Sequence, residues 1–571
     1  MIGLVTMHAT ADDFLTPYEI SQGEETATYW EAISYYQRLA EAYPTLSIKT
    51  MGLTDSGEPL HLVLYSASSV FDVNQLKKQN KRILLINNAI HPGEPDGVDA
   101  CMMFLRDLAA GKWVLEKGDQ LVIGVIPIYN IGGALNRNST TRVNQVGPKS
   151  YGFRGNARNY DLNRDYIKND TLNAQSFAEI FHLLDPDVYL ETHVTNGSDH
   201  QYVLTLISTQ KDKLGGPLGA FLHQDFEPYL MENLSGQGVL STPYVNVFGS
   251  TPDKGFQQFL EGPRYSTGYT ALFHTLGFMT ETHSLKPFKE RVMATRAFIE
   301  TLARATVEKA NAIENVRQKQ AAFYQAQESY PVTWELDKKR WRDLDFKGYE
   351  PEMLPSKVTS SERLRYNREK PLNKVVPFYD TYVPGLEIMR PRAYVVPRGW
   401  HSVVSLLQRN KIEMQQLNED QILAVEVYYI DSFETAERPY EGHYPHFNTQ
   451  IRKQREKVTV PKGDWLVSTH QRGIRYLMET LEPQASDSLF SWNYFDTILQ
   501  QKEYFSGYIF EDIAESLLKE NPTLRAEFED ELKRDEAFAK NPRTQLDWIY
   551  RRSPHYEKAH LRYPILRVLN Q

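Results

Sequence analysis

A chain of 571 residues exceeds what one ordinary hydrophobic core accommodates, so two or more domains are expected. Its composition, 41% hydrophobic, 12% aromatic and 24% charged, lies in the globular range and excludes a disordered or fibrous protein. The formal net charge of -9, from 73 acidic and 64 basic residues, gives no electrostatic ground for nucleic acid or an anionic membrane as a partner.

The chain opens on the apolar run Met1 to Ala11 and ends it with Ala9-Thr10-Ala11, the pattern of a signal-peptide cleavage site without a basic start. Residues 1–25 therefore read either as the remnant of an export signal, giving a periplasmic or secreted protein, or as an ordinary cytoplasmic start. No run approaches the roughly 18 uncharged apolar residues that span a bilayer, so no integral membrane contact is expected. Oligomeric state is not legible.

From about residue 26 to 325, short β-rich apolar runs alternate with longer helical patterns, the mark of a layered α/β domain. Arg82 to Ile86 is a strand, read as reaching Ile90, and the apolar-periodic stretch Val98 to Leu108 is a helix. Leu121 to Ile126, Asp187 to Leu190 and Gly277 to Thr280 are further strands, and Lys286 to about Gln325 is one closing helix. Residues 326–571 change character: proline recurs, strands such as Ala393 to Val396 and Ala424 to Tyr429 appear, and charged helices follow from about Phe510. This region reads as α+β and carries no motif with a mechanism attached.

The lone cysteine, Cys101, excludes a disulfide framework and a cysteine-based zinc cluster, so a metal site must draw on histidine and carboxylates. Its place on the apolar face of the Val98 to Leu108 helix makes it a small buried hydrophobe. His91-Pro92-Gly93-Glu94 follows a strand, and its His-x-x-Glu spacing can bring an imidazole and a carboxylate to one ion. A catalytic zinc needs three protein ligands and one open position. His193, in Glu191-Thr192-His193 after another apolar strand, supplies the third at the carboxyl edge of the sheet, where open α/β folds bind ligands.

Between these two histidines runs Tyr151 to Tyr166, containing Arg154 and the string Asp161-Leu162-Asn163-Arg164. With the flanking motifs, this string resembles the zinc carboxypeptidases related to pancreatic carboxypeptidase A, over roughly residues 25 to 310. The resemblance implies a mixed twisted sheet flanked by helices. It implies His91, Glu94 and His193 as ligands of one Zn2+, and Asp161 as the carboxylate that orients His91 through its other ring nitrogen. Arg154 matches the arginine that polarises the scissile carbonyl, and Asn163 with Arg164 the pair that grips a terminal carboxylate. A guanidinium offers the paired donors such a carboxylate needs. Glu281, in Gly277 to His283, matches the general base, a carboxylate that takes a proton from a metal-activated water.

Two departures accompany the match. The family's mobile tyrosine has two counterparts, Tyr265 and Tyr269, neither aligned without a gap. The turn before the arginine segment becomes Asn130-Ile131-Gly132-Gly133, and the preferred C-terminal residue is left unread. His443-Tyr444-Pro445-His446 has a metal-compatible spacing but reads as a loop.

The expected activity is removal of C-terminal residues from peptides or proteins. Two alternatives stay open: an amidase or deacylase acting on cell-wall peptides or acylated amino acids with the same site, and a non-catalytic peptide-binding protein.

Overall fold

The computed structural model describes residues 11–569. The apolar start on which the export reading rests lies outside them, save for Ala11. No helix among the described residues is long and apolar enough to cross a membrane.

Among the described residues, nine strands precede residue 284: β1 Leu46–Leu53, β2 Pro59–Ser66, β3 Arg82–Asn87, β4 Leu121–Ile126, β5 Val188–Thr195, β6 Leu204–Ser208, β7 Ser241–Pro243, β8 Phe256–Gln257 and β9 Leu276–His283. All but β8 form one sheet in the order β1-β2-β4-β3-β5-β9-β6-β7. The centre, β4-β3-β5-β9, is parallel, while β1-β2-β4 and β9-β6 are antiparallel, so the sheet is mixed. Strands β3 and β4 are buried along their whole length, which is why they read as unbroken apolar runs.

Helices cover both faces. Tyr29–Ala42, Asp96–Ala109 and Phe288–Glu308 share one core with Leu84, Ile86 and Leu190 of the sheet. Leu172–Leu184 packs on the opposite face through Phe177, Ile180 and Phe181. Cys101 is fully buried in the first of these cores, as a small hydrophobe.

Three boundaries differ from the sequence reading. Strand β3 stops at Asn87, so His91 lies in the loop beyond it. Strands β5 and β9 run on to Thr195 and His283, so His193 and Glu281 lie inside strands. Polar residues persist there because each strand is flanked by ladder partners: His193 stands in register with Glu281, and Thr205 of β6 with Glu281. The single closing helix is two, Phe288–Glu308 and Ala310–Ala326, which break at Lys309 to pack on different neighbours.

Beyond residue 326 the chain forms a long antiparallel ribbon, Arg342–Pro355 with Glu362–Tyr379, and then a six-stranded antiparallel sheet. That sheet holds Ala393–Val396, Gln421–Thr435, His446–Val460, Trp465–Ser468 and Leu566–Val568, with Gln415–Gln416 at its edge. Charged helices begin at Gly507. The core that covers Leu172–Leu184 continues without a break into this region through Tyr394, Leu407 and Tyr476. Tyr269 donates to Asn410 at 2.6 Å across the junction, and Arg472 pairs with Asp185 at 2.6 Å.

Candidate metal centre and substrate cavity

The candidate metal-binding triad is built by one turn and one strand. After β3 the loop is tied to the exit of β4 by Asn88 N–H to Ile126 O, 3.1 Å, and Asn130 N–H to Ala89 O, 3.1 Å. A tight turn follows, closed by Glu94 N–H donating to His91 O at 2.8 Å, with Pro92 at its second position where a fixed φ is favoured. That turn swings His91 and Glu94 to one side. Gly93 is required in it, because a Cβ there would come within 2.5 Å of Arg142 Cδ. His193 comes in from β5. The three ligand atoms lie within 4.8 Å of one another, and all three residues are buried.

Both imidazoles are anchored from behind. His91 Nε2 meets Asp161 Oδ1 at 2.8 Å, and His193 Nε2 meets Glu191 Oε2 at 2.9 Å. The two Nδ1 atoms are thereby turned inward, 3.1 Å apart and 3.4 and 3.1 Å from Glu94 Oε2. Two nitrogens on a tetrahedral zinc stand about 3.3 Å apart, from a bond length of about 2.0 to 2.1 Å. The donor set therefore fits a zinc-sized ion, with carboxylate partners fixing both ring orientations.

Electrostatically the site is a cluster of mutually compensating charges. Burial would raise Glu94, but Arg142, His91 and His193 outweigh it and hold the carboxyl well below its ordinary range. Burial would likewise lower His193, yet Glu191 and Glu94 hold the ring charged up to about 10. Asp161 is held well below the usual carboxylate range: burial opposes this, and His91, Arg154 and Arg164 prevail. Glu281 moves the other way. Burial raises it to about 8 against His193, and repulsion by Glu94 adds to the shift.

These groups open onto a cavity of about 390 Å³ lined by Arg154, Asn163, Arg164, Tyr244, Tyr265 and Glu281 among others. Arg154 forks onto Asp161 Oδ2, with Nε at 3.0 Å and one terminal nitrogen at 2.8 Å, and its other terminal nitrogen is 3.6 Å from Glu94 Oε1. The Asn163 amide is buried, and its Oδ1 has no partner among the described residues. Arg164 lies over the Tyr265 ring at 4.4 Å, donating through Nε to Tyr440 Oη at 3.0 Å and through one terminal nitrogen to Asn163 O at 2.8 Å. Every residue singled out from the sequence as ligand, base, arginine or orienting acid is thus gathered around one cavity.

Of the two tyrosine counterparts, Tyr269 is fully buried in an aromatic cluster and bonded to Asn410, so it cannot reach a substrate. Tyr265 lines the cavity. Asn130-Ile131-Gly132-Gly133 forms a helix start, with the Asn130 side chain capping Gly133 N–H at 2.8 Å. His443 is engaged by Asp170 at 2.7 Å and His446 by Thr435 and Asp496.

Four residues escaped the sequence reading. Glu191 anchors His193 and also accepts from Ser266 Oγ at 2.8 Å and from the Tyr166 hydroxyl. Arg142 pairs with Glu94 Oε1 at 2.9 Å. Tyr244 lines the cavity near Glu281, whose charge adds to the burial that raises its hydroxyl. Tyr440 reaches the site from the C-terminal region. For Glu191 a signal existed: it stands two residues before His193, and alternate residues of a strand share a face.

Residues 32–194 match the family model described as zinc carboxypeptidase. Carboxypeptidase 2 of Trichophyton rubrum is 21% identical over 509 residues, spanning 85% of this chain and 88% of that protein. Carboxypeptidase 2 of Trichophyton tonsurans is 22% identical over 449 residues, spanning 75% and 77%. Among solved structures, carboxypeptidase A from Helicoverpa armigera superposes with a TM-score of 0.37 at 12% identity, over 50% of this chain and 75% of that one.

Proposed function

We propose that the chain, whose residues 32–194 match the zinc carboxypeptidase family model, hydrolyses the peptide bond next to a free C-terminal carboxylate. The observation that carries the reading is the convergence of His91 Nδ1, His193 Nδ1 and Glu94 Oε2 beside a cavity holding a separate carboxylate, Glu281. Residues 26–325 are assigned the catalysis.

His91, Glu94 and His193 would hold one zinc ion, and a zinc bound there supplies Lewis acidity, polarising the scissile carbonyl and acidifying water. Asp161 and Glu191 keep both imidazoles in the tautomer that presents Nδ1. Glu281 takes the proton of the attacking water and returns it to the departing amine. Arg154 donates to the carbonyl oxygen as negative charge develops on it. Arg164 and the Nδ2 of Asn163 donate to the terminal carboxylate.

The test pairs a metal cycle with a substrate cycle. Chelator-treated protein is expected to lose hydrolysis and regain it with zinc, and mass spectrometry is expected to show single residues removed from peptides with free C-termini. Equal rates on amidated peptides would refute exopeptidase action and favour the amidase alternative.

A further inference from the structure

Behind the cavity wall, against Asp161 and Arg164, stands a piece of the chain some 280 residues downstream, at the tip of the hairpin that joins Gln421–Thr435 to His446–Val460. Tyr440 N–H donates to His443 O at 2.8 Å and His443 N–H returns to Tyr440 O at 3.1 Å, closing a two-residue turn. Its central residues, Glu441 and Gly442, have φ of 49° and 78°, the two positive values of a type I′ turn. Gly442 is doubly required: a Cβ there would lie 2.5 Å from the Tyr160 hydroxyl oxygen, next to Asp161. The turn is pressed edge-on into the Tyr160 to Arg164 loop.

Two residues of the turn hold that loop and a third holds the segment that follows it. The Tyr440 hydroxyl accepts from Arg164 Nε at 3.0 Å. The Glu441 carboxylate accepts from Asp161 N–H at 2.8 Å. His443 pairs with Asp170, which with Asp165 encloses the fully buried Lys168 at 2.7 Å each. Behind the turn, the fully buried Trp492 stacks on Tyr440, with centroids 6.1 Å apart and planes at 20°. Arg264, locked to Asp487 at 2.7 Å, covers both rings. The tyrosine is thus fixed before Arg164 leans on it. With Nε held by Tyr440 and its face held by Tyr265, Arg164 keeps one terminal nitrogen for a ligand.

We infer that the Tyr440–His443 turn is a positioning element of the carboxylate-binding site: Tyr440 aims Arg164 at the substrate, and Glu441 fixes the backbone of Asp161 and so the His91 ring. The C-terminal region is therefore part of the catalytic apparatus and sets affinity for the free carboxylate. Tyr440 does not line the cavity, so it acts through Arg164 and not on substrate. The inference rests on the reading of Arg164 as the carboxylate grip, and its test separates the two.

Full-length zinc-loaded Tyr440→Phe, which keeps the ring stack on Trp492, is compared with Arg164→Ala and the double variant on a peptide with a free C-terminus. Losing a hydrogen bond to a charged partner is expected to raise KM about tenfold. The kcat is expected to stay within about twofold, and Tyr440→Phe is expected to add nothing in the Arg164→Ala background. Glu441→Ala, which leaves the aromatic stack untouched, is the second arm and should lower kcat at least about threefold by loosening Asp161. If Arg164→Ala raises KM while Tyr440→Phe does not and Glu441→Ala leaves kcat intact, the inference is overturned and the carboxylate reading stands. If Arg164→Ala leaves KM unchanged, both fall.

Discussion

Arg142 offers the most discriminating perturbation, because its partner is itself a proposed zinc ligand. Arg142→Met keeps the aliphatic stem that lies against Gly93 and removes only the charge. Breaking a buried ion pair from one side costs about 3–5 kcal/mol. The Arg142 side chain is 18% exposed and Glu94 keeps Val194 N–H at 2.8 Å and His193 at 3.1 Å, so about 2–3 kcal/mol is expected in metal-free protein. With zinc present, the carboxylate already faces a divalent charge, and the arginine's neutralising contribution shrinks to below about 1 kcal/mol. Thermodynamic closure then makes the difference, about 1.5–2 kcal/mol, appear as zinc binding roughly tenfold tighter in the variant. Chelator competition on the native protein measures this without reversible unfolding, and denaturation midpoints with and without zinc supply the other two sides of the cycle. Zinc affinity unchanged or weakened, or equal destabilisation in both states, would show that Arg142 acts by packing and not through the charge of Glu94.

Glu281→Gln should retain zinc stoichiometry while kcat falls about 10²- to 10⁴-fold, checked by elemental analysis alongside peptide hydrolysis; an unchanged kcat would move the base elsewhere. His193, held charged up to about 10 in the metal-free protein, contributes stability that is fully present below its ordinary pKa of about 6.5 and is lost as pH rises through about 10. Zinc must displace that proton, so its affinity should climb about tenfold per pH unit across this window, with proton release counted by calorimetry in buffers of different ionisation enthalpy. Met279 and Ile207 face each other across β9 and β6 on the same sheet face as Glu281, and Phe259 packs edge-on against Tyr265 beside them. With three arginines and this apolar floor in the cavity, peptides ending in Phe or Leu should be cleaved at least about tenfold faster than those ending in Lys, read by mass spectrometry of an equimolar mixture.

The chemistry was legible because its residues cluster in short strings at the carboxyl ends of strands that announce themselves. Buried β4 is an unbroken apolar run and β3 is apolar from Ile83 to Ile86, so the loop after β3 could be located and His91 and Glu94 with it. Strand ends were misjudged for a related reason. The apolar run of β5 stops at Leu190, but the ladder continues through Glu191, Thr192 and His193, whose side chains satisfy one another and their neighbours. A polar residue inside a strand is costly only when unpaired, and that information lies in partners far along the chain. The same limit hid Arg142, which approaches Glu94 only once the loop after Asn136 has folded over the His91 turn.

The C-terminal contribution was illegible for a stronger reason. Tyr440, Glu441 and Gly442 form an aromatic-acid-glycine string without the Asn-Gly or Asp-Gly pair that marks a type I′ turn, and nothing local points it at residues 160–164. Its meaning comes from two features of the junction: a hydrophobic core running from Phe181 and Tyr269 into Leu407 and Tyr476, and a charged seam of Arg264, Asp487, Lys168, Asp170 and His443. The core supplies adhesion that any apolar face could give. The seam supplies register, since a displacement of one residue would part Arg264 from the buried Asp487 and His443 from Asp170, at a cost of several kcal/mol. Register is what an arginine aimed at a substrate carboxylate requires, so the buried charges are best understood as fixing where Tyr440 stands and not as strengthening the junction.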